Sequence, residues 1–238
     1  MLRDALERQG DFFFRWRGFL PLLGLPILAW ELYRFSAEPA DPRVAAACLA
    51  VAGLGVAVRA AVQGYTMPGS SGRNTRWQKA NALHTTGLYS LCRHPLYLGN
   101  FLICFGVLLL FRSFELLAVF GLLCALYYER IVLCEEAYLE REYGESFRAW
   151  AARTPAFLPR PSAWQRPERP FRVRTLVRRE YGTWFSVVLV ATLFEALLGW
   201  RVHGRLSLGP AWLSLLALAS LQFAVFRFLK KRTRLLRL

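Results

Sequence analysis

Acidic residues are scarce in this chain. Sixteen Asp and Glu stand against 31 Lys and Arg in 238 residues, a formal net charge of +15. Such a balance points to nucleic acid or to an anionic membrane surface. The long apolar runs described below decide for the membrane, and no nucleic-acid partner is expected. Cysteine offers little chemistry either. There are five (Cys48, Cys92, Cys104, Cys124 and Cys134), none in a CxxC pair, and no Cys/His spacing reads as a zinc site, so no metal centre is expected. Most lie in or beside apolar segments and read as small buried hydrophobes. Cys92 adjoins Arg93, whose charge favours a thiolate, which makes it the candidate for a reactive thiol. A cleavable signal peptide is not expected: the first apolar run starts only after Trp16-Arg17, and no small-residue cleavage site follows.

What is abundant is apolar and aromatic. Hydrophobic residues make up 55% of the chain, aromatic residues 15%, and the mean hydropathy is +0.28. These values are too apolar for an ordinary soluble domain and too charged for a chain buried wholly in lipid, and an integral membrane protein with basic loops satisfies both. Residues 1–15 read as an amphipathic lead-in lying at the interface. Spans are predicted over residues 18–33, with Pro21 and Pro26 as kinks, and over residues 44–65, rich in Ala and Gly as close helix contact requires. Two apolar runs, 98–111 and 114–128, are separated only by Arg112-Ser113 and predict an antiparallel helical hairpin. Its second helix should continue past the bilayer to about Tyr143, with Gly144 as its cap. After a basic, proline-bearing stretch, two more spans are predicted over 182–200 and 210–229.

The fold expected is therefore an all-α integral membrane protein of about six transmembrane helices. Its parts are an N-terminal interfacial segment and first span (1–43), a core of three spans with a cytosolic segment (44–162), a basic linker (163–181) and two further spans with a basic tail (182–238). Counting Lys and Arg sets the orientation. The predicted loops on one side hold only Arg34, Arg43, Arg112, Arg201 and Arg205, while nearly all the others fall on the opposite side. The positive-inside rule then puts both termini in the cytosol, consistent with a bacterial inner membrane.

Two polar blocks reach that same face. The first, residues 87–100, opens into the apolar run of the hairpin and includes Arg93-His94-Pro95-Leu96-Tyr97-Leu98-Gly99-Asn100. The second follows one hairpin later and includes Arg130, Glu135, Glu136 and Glu140. Polar groups at a membrane boundary are costly unless they meet water, a headgroup or a ligand, so the two blocks read as halves of one site.

The first block is similar to the RHPxYxG motif of the isoprenylcysteine carboxyl methyltransferase and phospholipid methyltransferase superfamily. The second resembles that family's R-x-x-x-E-E-x-x-L-x-x-x-[FY]-G, from Arg130 through Glu135-Glu136 to Gly144. Arg153-Thr154-Pro155-Ala156-Phe157-Leu158-Pro159 resembles its R-x-P-x-x-x-P close. The resemblance covers roughly residues 45–162. It implies an S-adenosylmethionine-dependent membrane methyltransferase with Arg93, His94, Pro95, Tyr97, Gly99, Glu135 and Glu136 around the cofactor, Glu135 and Arg153 as catalytic candidates, and Arg153 facing the acceptor. The residue types suit that chemistry. Carboxylates match the cofactor's cationic end, Arg93 or His94 its carboxylate, and Tyr97 offers a ring face to adenine or sulfonium. Gly99 allows close approach of a cofactor or of backbone.

Arg59, in the second predicted span, either snorkels outward or points at the site. Arg73, Asn74, Arg76 and Lys79 lie in a polar loop with basic residues three apart, which suits attraction to anionic lipid or recognition of a headgroup phosphate. Arg59, Arg73, Asn74, Arg76 and Arg153 are thus the substrate-binding candidates. The preferred acceptor is a lipid headgroup phosphate, lipid A-like, or a headgroup amine. Carboxyl methylation of an isoprenylcysteine-like substrate is an alternative. A membrane sterol-type reductase using NADPH shares an R-H-P-x-Y arrangement, but Leu96 after Pro95 and Leu98-Gly99-Asn100 after Tyr97 argue against it. A non-enzymatic scaffold leaves the polar blocks unexplained.

Overall fold

The structure, a computed structural model, describes residues 2–34, 41–66, 82–233 and 235–236. Among these residues it is all helix and connecting loop, and it contains no β-strand, only an isolated bridge between Gly87 and Gln165. The helices are α1 (Leu2–Trp16), α2 (Leu25–Arg34), α3 (Pro42–Tyr65), the single turn α4 (Leu88–Leu91), α5 (Pro95–Leu108), α6 (Phe114–Tyr143), α7 (Glu145–Arg153), α8 (Val173–His203) and α9 (Pro210–Arg232). Four of them, α3, α6, α8 and α9, are long and apolar enough to cross a membrane, and Pro95–Phe111 is a shorter apolar segment. The chain is an all-α membrane protein.

The first expected span is not one continuous helix. Residues 18–33 divide into a 3₁₀ turn, Leu20–Gly24, and the ten-residue α2. Pro21 and Pro26 explain the break, since each lacks an N–H and is tolerated only in a first helical turn. At about 1.5 Å per residue α2 extends about 15 Å, half of a ~30 Å hydrocarbon core. The last two spans are longer than expected. In particular α8 begins at Val173, inside the stretch read as a linker.

The hairpin forms as the sequence implies. Arg112 adopts a left-handed conformation (φ 52°), and the Ser113 side chain accepts the Leu116 N–H to start α6. The helix α6 runs unbroken to Tyr143, and Gly144, with φ 51°, ends it.

Helices α3 and α5 pack closely along their length, through small residues. A methyl group on Gly55 would lie 2.5 Å from the Gly99 carbonyl oxygen, and one on Gly106 would lie 2.4 Å from the Ala52 nitrogen. Without a hydrophobic driving force between helices in lipid, such backbone approach is what holds them together. Helix α8 packs on α3 and carries α9 on its outer side. A core of Ala45, Cys48, Leu110, Phe111, Leu116, Ala191, Phe194 and Leu198 fills the end remote from the polar blocks, with the Phe111 and Phe194 rings stacked at 3.9 Å. The exposed Leu218, Leu221, Val225 and Phe228 of α9 make a face suited to lipid.

Helix α1 does more than lie at an interface. It docks along the polar end of α6, where Gly10 sits so close that a methyl group would lie 2.2 Å from the Arg130 carbonyl oxygen. The Phe13 ring meets Tyr127 edge-on at 5.7 Å, and Gln9 Oε1 accepts from Arg130 Nε at 3.0 Å.

Two glycines of α3 separate crowding from helix propensity. Gly53 has open space around it, whereas Gly55 faces α5. Gly55→Leu should cost about 1–3 kcal/mol, the usual penalty of overpacking, and Gly53→Leu should cost nothing. Thermal unfolding of both variants in detergent checks this.

Candidate active site

The two polar blocks meet. Pro95, buried and at the start of α5, restricts His94 to a non-helical conformation, so His94 becomes the N-cap residue and its ring turns toward α6. One helical turn on, Tyr97 faces the same way. From α6, the adjacent Glu135 and Glu136 both reach this point. Arg93 binds Glu136 with two donors, Nε to Oε1 at 2.7 Å and Nη2 to Oε2 at 3.2 Å. His94 Nε2 lies 2.9 Å from Glu136 Oε1, and its Nδ1 lies 3.7 Å from Glu135 Oε2. The Tyr97 hydroxyl donates to Glu135 Oε1 at 2.6 Å.

A strap completes the arrangement. Residues 154–165, between α7 and α8, run beside residues 87–94. Arg93 N–H donates to the Pro155 carbonyl at 2.8 Å, His94 N–H to Ala156 at 3.1 Å, Arg160 N–H to Leu91 at 3.0 Å and Gly87 N–H to Gln165 at 3.0 Å. Arg93 Nη1 also donates to the carbonyls of Ala151 and Thr154. The strap brings Phe157 within 5.9 Å of the His94 ring and 6.0 Å of Tyr128, which lies 5.2 Å from Tyr97. The result is a carboxylate pair beside an aromatic cluster. From α1, Arg17 comes within 4.0 Å of Glu135.

The two carboxylates are not equivalent. Glu136 is held by Arg93 and His94 and acts as a structural tie. Glu135 takes one hydrogen bond, from Tyr97, and its side chain is a quarter exposed. It is the carboxylate left able to receive a ligand.

Other candidates fall elsewhere. Gly99 serves backbone packing, since a methyl group there would lie 2.7 Å from Arg59 Cγ and 3.0 Å from the Gly55 carbonyl. Arg59 points inward, donating to Glu180 of α8 at 3.0 and 2.7 Å and to Asn100. Thr183 adds a hydrogen bond to Glu180 at 2.8 Å. Asn100 belongs to the first polar block without a role of its own there, Glu180 does not stand out in the sequence, and the need of the intramembrane Arg59 for a long-range partner is the signal that points to both. Arg153, at the end of α7, is exposed and has no hydrogen bond or ion pair to Glu135, His94 or any other described residue. Arg73, Asn74, Arg76 and Lys79 lie outside the described residues.

Cys92 is a small buried hydrophobe, as its apolar setting implies, and the reactive-thiol alternative raised by Arg93 fails. Its side chain is buried (1% exposed), and burial pushes its pKa up to about 11 in spite of a stabilising backbone hydrogen bond. The neighbouring Arg93 guanidinium is spent on Glu136 and two carbonyls.

Residues 42–146 match the family model for phospholipid methyltransferases. This segment is similar to the phospholipid and isoprenylcysteine methyltransferase superfamily. The chain is 38% identical over 125 residues to the nickel-cobalt-cadmium resistance protein NccN of Alcaligenes xylosoxydans xylosoxydans, covering 52% of this chain and 56% of that protein. It is 42% identical over 88 residues to the cobalt-zinc-cadmium resistance protein CzcN of Cupriavidus metallidurans, covering 37% and 40%. It is 31% identical over 81 residues to a protein-S-isoprenylcysteine O-methyltransferase of Schizosaccharomyces pombe, covering 34% of each. The chain thus spans about half, or less, of the length of these relatives. No solved structure matches it.

Cys92 provides a direct check on the packing of this region. With its thiol buried and its pKa near 11, it should stay unmodified by maleimide at neutral pH in the folded protein and react once denatured. Peptide mass spectrometry reads both states, and rapid labelling of the native protein would contradict the packing described.

Proposed function

We propose that the chain is an S-adenosylmethionine-dependent methyltransferase that modifies a lipid or lipidated acceptor at the membrane surface. The observation that carries this reading is the convergence of Glu135, Tyr97 and His94 at the mouth of the α5–α6 hairpin, beside Tyr128 and Phe157. The donor set fits the cofactor. A partly exposed carboxylate next to aromatic faces suits a ligand carrying both an ammonium and a sulfonium. Bound there, S-adenosylmethionine supplies an electrophilic methyl group.

The chain's own residues would do the rest. Glu135 would bind the cationic end of the cofactor, with Tyr97 fixing the carboxylate. Arg93 and Glu136 would hold strap and hairpin in register, so that the two reacting groups are aligned; alignment is the main source of rate in a displacement of this kind. Phe157 and Tyr128 would keep water out. A phosphate or carboxylate oxygen as acceptor needs no general base. A headgroup amine must lose a proton, and Glu135 is the group placed to take it.

The preferred acceptor is a lipid headgroup phosphate or amine, with an isoprenylcysteine-like carboxylate as the alternative. The charge asymmetry supports placing both termini and the site in the cytosol. Two of the relatives are named for metal resistance. On this reading such a role reaches this chain through the lipid it modifies, and among the described residues no group of three His, Cys, Asp or Glu side chains gathers to hold a metal ion.

Calorimetry of the purified protein in detergent tests the proposal. S-adenosylmethionine should bind and NADPH should not. Glu135→Gln should weaken that binding about tenfold or more, the scale of one charged hydrogen bond. Absence of S-adenosylmethionine binding to the wild-type protein would end this reading.

A further inference from the structure

The strap walls a second, separate space. A cavity of about 240 Å³ opens between the strap, α4 and the end of α7, lined by Ser90, Trp150, Arg153, Thr154, Arg160 and Ser162 among others. Drug-sized ligands occupy about 300–1,000 Å³, so this space suits a small polar moiety and not a whole amphiphile.

Its chemistry is one-sided. No acidic side chain is among the residues that line it. Arg153 and Arg160 both border it, and among the described residues neither guanidinium has a hydrogen bond or an ion pair. Arg148 and Arg34, by contrast, are satisfied by carboxylates: Arg148 bonds Glu140 at 2.9 Å, and Arg34 bonds Glu115 at 2.8 Å. The walls are well ordered by their own bonds. Ser90 Oγ donates to the Gly87 carbonyl at 2.7 Å and accepts the Gln165 N–H at 2.9 Å. Trp150 Nε1 donates to the Tyr89 carbonyl at 3.1 Å. The two arginines sit at the two ends of the strap segment that pairs with residues 91–94, so their backbones are fixed before any ligand arrives.

Planar guanidinium groups match phosphate oxygens in pairs, and two of them over a headgroup-sized space favour a doubly charged phosphate over a carboxylate. The cavity also adjoins the candidate active site. Thr154 lines it, and the Thr154 carbonyl accepts from the same Arg93 that binds Glu136.

We propose that Arg153 and Arg160 form a binding site for a phosphate monoester, carried on a lipid headgroup or free in solution. Its identification with the acceptor's headgroup rests on the methyltransferase reading. The binding itself does not.

The test uses the full chain in detergent, without S-adenosylmethionine, titrated with water-soluble dibutyryl phosphatidic acid, dibutyryl phosphatidylcholine and inorganic phosphate. Phosphatidic acid should bind, and Arg153→Gln and Arg160→Gln should each weaken it about tenfold, with helical circular dichroism unchanged. Arg148→Gln, on the exposed face of α7, should bind as the wild type does. Inorganic phosphate binding as tightly as phosphatidic acid would support the site and assign it to soluble phosphate; weaker binding would assign it to a headgroup. No binding, equal binding of phosphatidylcholine, or variants that bind like the wild type would overturn the proposal. Phosphate binding by a protein that fails to bind S-adenosylmethionine would leave this site standing and remove only the methyl-transfer reading.

Discussion

Arg93 is the side chain on which the rest of the site depends. Through its guanidinium it joins Glu136 of α6 to the carbonyls of Ala151 and Thr154, and its backbone N–H is paired with Pro155. Three parts of the chain, separated by tens of residues, are thereby fixed at one point. Hydrogen bonds to charged groups contribute about 1.5–3 kcal/mol each. Removing one partner would also strand a charge in a region where Arg93 and Glu136 are only 16% and 20% exposed. Glu136 is committed to this tie, whereas its neighbour Glu135 carries only the Tyr97 hydrogen bond and longer approaches to His94 and Arg17, and the strap is held where Phe157 closes the aromatic cluster.

A second polar tie lies within the helix bundle. Arg59 of α3, Asn100 of α5 and Glu180 of α8 bring together three helices, and Arg179 adds contacts to Gln63 and Thr66 of α3. Glu180 and α8 lie beyond the segment that matches the family model, which ends at residue 146. The C-terminal helices are therefore not an independent appendage. They hold Arg59 inward, against Gly99, and so fix the α3–α5 packing that sets the position of His94 and Tyr97.

Much of this was legible in the sequence, for identifiable reasons. The Arg112-Ser113 break between two apolar runs implies the hairpin, and the hairpin implies that residues 93–97 and 135–136 meet. The small residues of α3 imply close packing, and Gly144 marks the end of α6. Other features carry no local signal. The Arg59–Glu180 pair spans 121 residues, and Glu180 sits among arginines in a stretch that composition alone reads as a linker. The division of labour between Glu135 and Glu136 depends on which way Arg93 turns. The role of Gly99 depends on whether a ligand or a helix approaches it. The first expected span is broken and not merely kinked, because Pro21 and Pro26 each interrupt the backbone hydrogen bonding. Cys92 follows its apolar setting and not its charged neighbour, because burial decides its pKa.

The central claim is that Arg93 and Glu136 act as one unit clamping strap to hairpin, and a double-mutant cycle measures it most directly. Unfolding free energies in detergent would be compared for the wild type, Arg93→Gln, Glu136→Gln and the double variant. Residues in one ion-pair network show coupling of about 0.5–3 kcal/mol. The clamp predicts a value in the upper half of that range, with the double variant little worse than either single one. Strictly additive effects would show that the two side chains act independently and would contradict the account.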